Sequence, residues 1–191
     1  ARTRAGRSAD RGARLRHRNR AVSAPDLEDL ALQSSPDIAQ ARCFATRGDV
    51  RLVVVMRGSN PMPNAAQRRE LERLLRGVSP VTLGALRIEG PTLRFLGAHL
   101  QLHVQSLDDA GAVARSVRER IAAWLDAVTG GADGEGWPLG RSPDASDIAL
   151  ALVDAPGLAG VADMVLHEIV NRVLERPWPA SLRGSDLVVL R

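Results

Sequence analysis

The residues of this chain that could do chemistry are few, and each falls short of the pattern its chemistry requires. His167-Glu168-Ile169-Val170-Asn171 begins like a metalloprotease helix, but zinc there needs a second histidine one turn on, and that position holds Asn171. Val165, Ile169 and Val170 also favour a strand over a helix. His99 and His103 share one face of an alternating stretch, yet at strand rise their α-carbons stand about 13 Å apart, too far for the two rings to share a metal easily. The glycine-rich run from Thr129 to Gly140 follows a helix, has no lysine and carries Asp133 and Glu135, whereas a phosphate loop follows a strand, supplies a lysine and avoids acids. Those two acids do not make the regular ligand spacing of a calcium loop either. Cys43 is the only cysteine, which excludes an internal disulfide, and its place between Arg42 and Phe44 reads as a small core position. No serine, histidine and carboxylate set converges, so the expectation is a protein that is not an enzyme and takes no cofactor or metal.

The charge is concentrated at one end. The net charge is +4, but residues 2 to 20 hold eight arginines against one acid, Asp10, so that segment carries +7 and the rest of the chain −3. All 26 basic residues are arginine, a skew that suggests codon bias and weakens the argument that arginine was selected for phosphate contacts. With 45% hydrophobic and 25% charged residues the chain reads as a globular protein. No apolar run approaches the roughly 20 residues that cross a bilayer and no signal peptide is read, so the expected compartment is the cytoplasm where the chain is made.

Ser23 with Asp26 has the form of a capping box, followed by Leu27, Leu30 and Ala31 on one helical face and a stop before Ser35-Pro36. Ile38 to Phe44 and Asp49 to Arg57 read as strands, the second holding the run Leu52 to Met56 expected of a central strand buried on both faces. Asn64 with Gln67 starts a helix whose stripe is Leu71, Leu74, Leu75 and Val78, and Ala85 to Glu89 follows as a strand. In the second half Leu100, Leu102 and Val104 alternate with His99, Gln101, His103 and Gln105. Asp108 is then expected to cap a long helix with the stripe Val113, Val117, Ile121, Trp124, Leu125 and Val128, stopped by Gly130-Gly131. A multiple turn pinned by Trp137 and Pro138 leads to a short helix after Ser142-Pro143-Asp144, with Ile148, Ala149 and Leu152 on one face. Met164 to Val170 and Asp186 to Leu190 read as the last strands. The expected fold is α+β: an Arg-rich connector at 1–20, then two small α/β modules at 21–91 and 92–191, each a short mixed sheet against helices. Asp26 to Leu32 before Ser35-Pro36 echoes Asp144 to Leu150 before Ala155-Pro156, as if the modules were related.

Two segments carry a resemblance to a known family. Arg18-Asn19-Arg20-Ala21-Val22-Ser23-Ala24-Pro25-Asp26-Leu27-Glu28-Asp29-Leu30-Ala31 resembles the RxRAVTxxDYExLA segment of baseplate J-like proteins. Leu125 to Arg141, which reads LDAVTGGADGEGWPLGR, is similar to their LDPLTGGPDGTGWPFGR segment, and Arg87-Ile88-Glu89-Gly90-Pro91 falls in the expected order between them. Leu27 and Leu139 stand where the family pattern has an aromatic. The resemblance implies a structural wedge protein of the baseplate in contractile phage tails and extracellular contractile injection systems, with this chain matching the C-terminal portion of longer members. Residues 1–20 would then connect to an N-terminal part, consistent with a start at Ala1 and not Met.

The partners so implied are other wedge proteins, further copies or a paralogue among them, the central spike or hub, and sheath-proximal baseplate proteins, with no membrane insertion and no specific nucleic acid. Assembly would take place in the producing cell, as part of a phage-like particle that is retained or released. The candidate interface residues are Arg14, Arg16, Arg18 and Arg20 of the connector, His99 and His103 on the exposed strand face, and Trp178 between Pro177 and Pro179, while Trp124 and Trp137 are expected in the core. The main rival is an Arg-rich nucleic-acid-binding module using residues 2–20, whose binding would weaken steeply with salt. A small hydrolase is the other, and it would need a deep pocket with perturbed titratable groups.

Overall fold

The computed structural model describes residues 23–46, 49–79, 85–170 and 174–191. They divide into two compact units between Pro91 and Thr92. Each unit sets helices against a mixed sheet, the α+β class expected from the alternating and helical periodicities.

The first unit opens with α1 (Ala24–Ser34). Ser23 caps it: the Ser23 N–H donates to Asp26 Oδ2 at 2.8 Å, the Asp26 N–H donates back to Ser23 Oγ at 3.4 Å, and Pro25 lies in the first turn where no N–H is missed. Strand β1 (Ile38–Thr46) pairs antiparallel with β2 (Asp49–Met56), and β3 (Ala85–Glu89) joins β2 in parallel after the crossover helix α2 (Ala65–Val78). The order is β1-β2-β3. Leu52, Val54 and Met56 face Leu27, Leu71 and Leu75 in the core, and Val53 and Val55 on the other face of β2 are also buried, as expected of a central strand. One expectation needs correcting: Leu71 and Leu75 are buried, but Leu74 is 42% exposed. It lies about 100° around the helix from Leu75, at the flank of the stripe.

The second unit is built on two long strands, β4 (Thr92–Val104) and β5 (Leu158–Val170), paired antiparallel. Strand β6 (Leu174–Pro177) extends the sheet antiparallel to β5, β7 (Asp186–Leu190) lies parallel to β4, and the order is β6-β5-β4-β7. Helices α3 (Ala110–Trp124) and α4 (Ala145–Ala151) place Val113, Val117, Ile121 and Ile148 against Leu96 and Val188.

Several boundaries differ from those expected. The α3 N-cap is Asp109 and not Asp108, and it makes no side-chain capping bond. The helix also ends at Trp124, so Val128 lies beyond it; the Asp126 carboxylate takes the N–H groups of Val128 and Thr129 and turns the chain before the glycines. Trp124 is half-buried against the core, and Ala149 of α4 is exposed while Ile148 and Leu152 are buried. Strand β5 starts at Leu158 and not at Met164, because the β4 ladder holds the small residues Ala159, Gly160 and Ala162 in a conformation they do not favour alone. Strand β6 was not foreseen: Pro177 and Pro179 hide it, and proline is tolerated there because the strand is an edge.

Candidate functional site

Each strand of the second sheet contributes one charged residue to a network on its helix-covered face. Arg94 on β4 donates from Nη1 to Glu168 on β5 at 2.8 Å and from Nε to Asp186 on β7 at 3.0 Å. Arg176 on the edge strand β6 completes Glu168 at 3.0 Å. Glu168 and Asp186 are buried, Asp186 at 1% exposure, so these partners offset the cost of taking both side chains out of water. Arg94 is held above its ordinary pKa chiefly by the hydrogen bond to Glu168; desolvation opposes this and Asp186 adds to it. Two acids and two guanidinium groups cancel in charge, so the network cross-links four strands without presenting a field of either sign.

On the opposite face, reached by alternation from Glu168 to His167, lies a second cluster. The His167 and His99 rings stack with centroids 4.5 Å apart and planes 21° from parallel. Glu175 on β6 brings one carboxylate oxygen to each ring: Oε2 is 3.4 Å from His99 Nε2 and Oε1 is 3.5 Å from His167 Nε2. His167 is buried because it lies over Gly97, its cross-strand partner. A Cβ on residue 97 would stand 2.1 Å from His167 Nε2, so this close approach requires glycine.

The segment from Leu125 to Arg141 folds as a lock between elements. Trp137 is fully buried, donates its indole N–H to the Arg141 carbonyl at 2.9 Å, and lies beneath the Arg141 guanidinium, 4.4 Å from the ring centroid. Arg141 in turn pairs with Asp147, which closes the α4 capping box with Asp144. Gly140, at φ +76°, donates its N–H to the Asp186 carbonyl, and a Cβ there would meet the Gly184 backbone at 2.6 Å. Burial pushes the Asp126 carboxyl up, but the Val128 N–H, Thr129 N–H and Thr129 hydroxyl bonds outweigh it and hold it below the usual value. Trp178 is half-buried against the same core, and its indole N–H donates to Ser142 Oγ at 2.8 Å.

Of the residues singled out from the sequence, Arg14, Arg16, Arg18 and Arg20 lie outside the described residues. His99 and His103 are both exposed on β4. His167 lies on a strand, as its neighbours suggested, but the separation of His99 from His103 and the loss of the second histidine to Asn171 had left His99 and His167 unconnected. The antiparallel register of β4 and β5 brings those two rings together. Arg94, Glu168, Glu175 and Asp186 were not anticipated. The available signal was an ionisable residue inside each apolar run, as in Leu93-Arg94-Phe95 and His167-Glu168-Ile169, since such charges must find partners when the strand is buried. The first unit holds a cavity of about 100 Å³ lined by Ile38, Met56, Leu71 and Leu74. On β1 the Cys43 thiol is pushed up to about 11, first by burial and then by the Glu28 carboxylate, which accepts the Cys43 backbone N–H at 2.7 Å.

No protein-family model matches the chain, and no curated protein matches it in sequence. Its fold matches a solved one: a chain in the cryo-EM structure of the anti-feeding prophage baseplate, 6-fold symmetrised, is similar over 93% of this chain with a TM-score of 0.64 and 15% sequence identity. This chain covers 39% of that longer one. The likeness shows that the two chains share a fold.

Proposed function

We propose that the chain is a structural protein of the baseplate of a contractile, phage-tail-like particle, in the wedge position implied by its resemblance to baseplate J-like proteins. The fold likeness over 93% of the chain to a protein of the anti-feeding prophage baseplate carries this reading, and the Ser23 and Trp137 segments support it independently, as sequence. The chain would form one part of a longer wedge protein, dock on neighbouring wedge proteins and the hub, and hold the ring until sheath contraction. It would do so without catalysis, through many contacts repeated around a sixfold axis. The connector arginines Arg14, Arg16, Arg18 and Arg20, the β4 face at His99 and His103, and Trp178 are the proposed contact residues. Among the described residues no helix is long and apolar enough to cross a membrane.

Cross-linking mass spectrometry on particles purified from the producing cell tests this reading. It predicts cross-links from residues 1–20 and from the β4 face to other baseplate proteins. If the chain is absent from such particles and instead binds DNA, with affinity that falls steeply with salt and is lost on removing residues 2–20, the nucleic-acid reading replaces it.

A further inference from the structure

We infer that His99, His167 and Glu175 form a binding site for a divalent transition metal of the zinc class on the face of the second sheet opposite its helices. Two imidazoles and a carboxylate are a recognised donor set for zinc, with a remaining position open to water or another ligand. The spacing suits it. Tetrahedral zinc with ligand bonds of about 2.0–2.1 Å has ligand-to-ligand edges of about 3.3–3.4 Å, and the carboxylate oxygens stand 3.4 and 3.5 Å from the two Nε2 atoms. The same distances are long for hydrogen bonds. The two distances run to different carboxylate oxygens, and one ligand atom from each residue lies within 4.8 Å of the others, so the side chains must draw together for one ion to be shared.

The side chains divide the work of such a site. His167 is fixed by burial over Gly97, while the His99 ring, stacked on it at 21° from parallel, must turn for both in-plane lone pairs to meet one ion. His99 and Glu175, with side chains 68% and 55% exposed, keep the freedom to close on the ion and leave it an entry path from solvent. The three ligands come from adjacent strands, so a bound ion would tie the four-residue edge strand β6 to β5 and β4. His167 Nδ1 is buried without a hydrogen-bond partner among the described residues. Coordination through Nε2 places the proton on that nitrogen, which makes the site weaker than one whose histidines have an outer-shell acceptor.

Calorimetric titration of the untagged, metal-stripped chain with zinc chloride, repeated with cobalt and read by visible absorption, tests the site. One ion per chain is expected, with a higher unfolding temperature when it is bound. His99→Ala and Glu175→Gln alter exposed side chains, and circular dichroism without metal checks that each variant folds. Each is expected to weaken binding by more than about tenfold, since even outer-shell losses cost that much. His103→Ala, on the same strand but outside the cluster, is expected to bind as the parent does. No bound ion in the parent chain, or an affinity unchanged in both His99→Ala and Glu175→Gln, would overturn the assignment.

Discussion

Asp186 and Glu168 show how single residues constrain this molecule. Each is a carboxylate buried in an apolar run, and Arg94 reaches both, with Arg176 as the second partner of Glu168. Replacing Arg94 by Met should therefore cost about 3–5 kcal/mol, because Asp186 loses its guanidinium partner and Glu168 one of its two; replacing Arg94, Glu168 and Asp186 together by apolar residues should cost much less. Urea unfolding of the two variants compares these outcomes. Trp137 acts through volume. Trp137→Ala should cost about 3–5 kcal/mol in the same assay, as large buried aromatics do, and should also loosen Arg141 from the start of α4. Cys43 makes the prediction about pH. With its pKa raised to about 11, only about one thousandth of the thiol is ionised at pH 8. Iodoacetamide should accordingly modify it far more slowly in the folded chain than in denaturant. The sign follows from the raised value: the contribution of Cys43 to stability is full below the ordinary thiol pKa and is lost as pH rises through about 11.

Among the elements, capping shows what a local sequence can specify. Ser23 with Asp26 and Asn64 with Gln67 both form the reciprocal boxes expected from their spacing, because the four residues that close a box are neighbours in sequence. The same chemistry starts α4, but there the echo between the modules needs a shift of three residues. Asp144 corresponds to Ser23 and Asp147 to Asp26, each pair a cap and its third helical residue, and Ile148 and Leu152 then fall where Leu27 and Ala31 do. Ser23→Ala and Asp144→Ala should each cost about 1 kcal/mol in thermal or urea unfolding, the usual value of such caps. What depends on distant partners was not legible. The early part of β5 is small residues held by β4, β6 is an edge bounded by prolines, and the His99, His167 and Glu175 cluster exists only because β4 pairs with a strand far from it in sequence. Alternation gave the face of His99 but could not give the residue opposite it.

At the scale of the whole molecule, the two sheets repeat one arrangement. A central strand, β2 or β4, is flanked antiparallel by the strand that follows a box-capped helix, β1 or β5, and in parallel by a short strand, β3 or β7. The second unit adds β6, and with it the third donor of the proposed metal site and the outer arginine of the charge network. On the proposed baseplate reading, the apolar faces close the cores and the polar strand faces would be left for neighbours. A cryo-EM reconstruction of the particle from the producing cell, with sixfold symmetry imposed, tests that account most directly. It predicts that both sheets, with the Trp137 lock between α3 and α4, fit the density of the baseplate ring; a complete baseplate map containing no density for either sheet would contradict it.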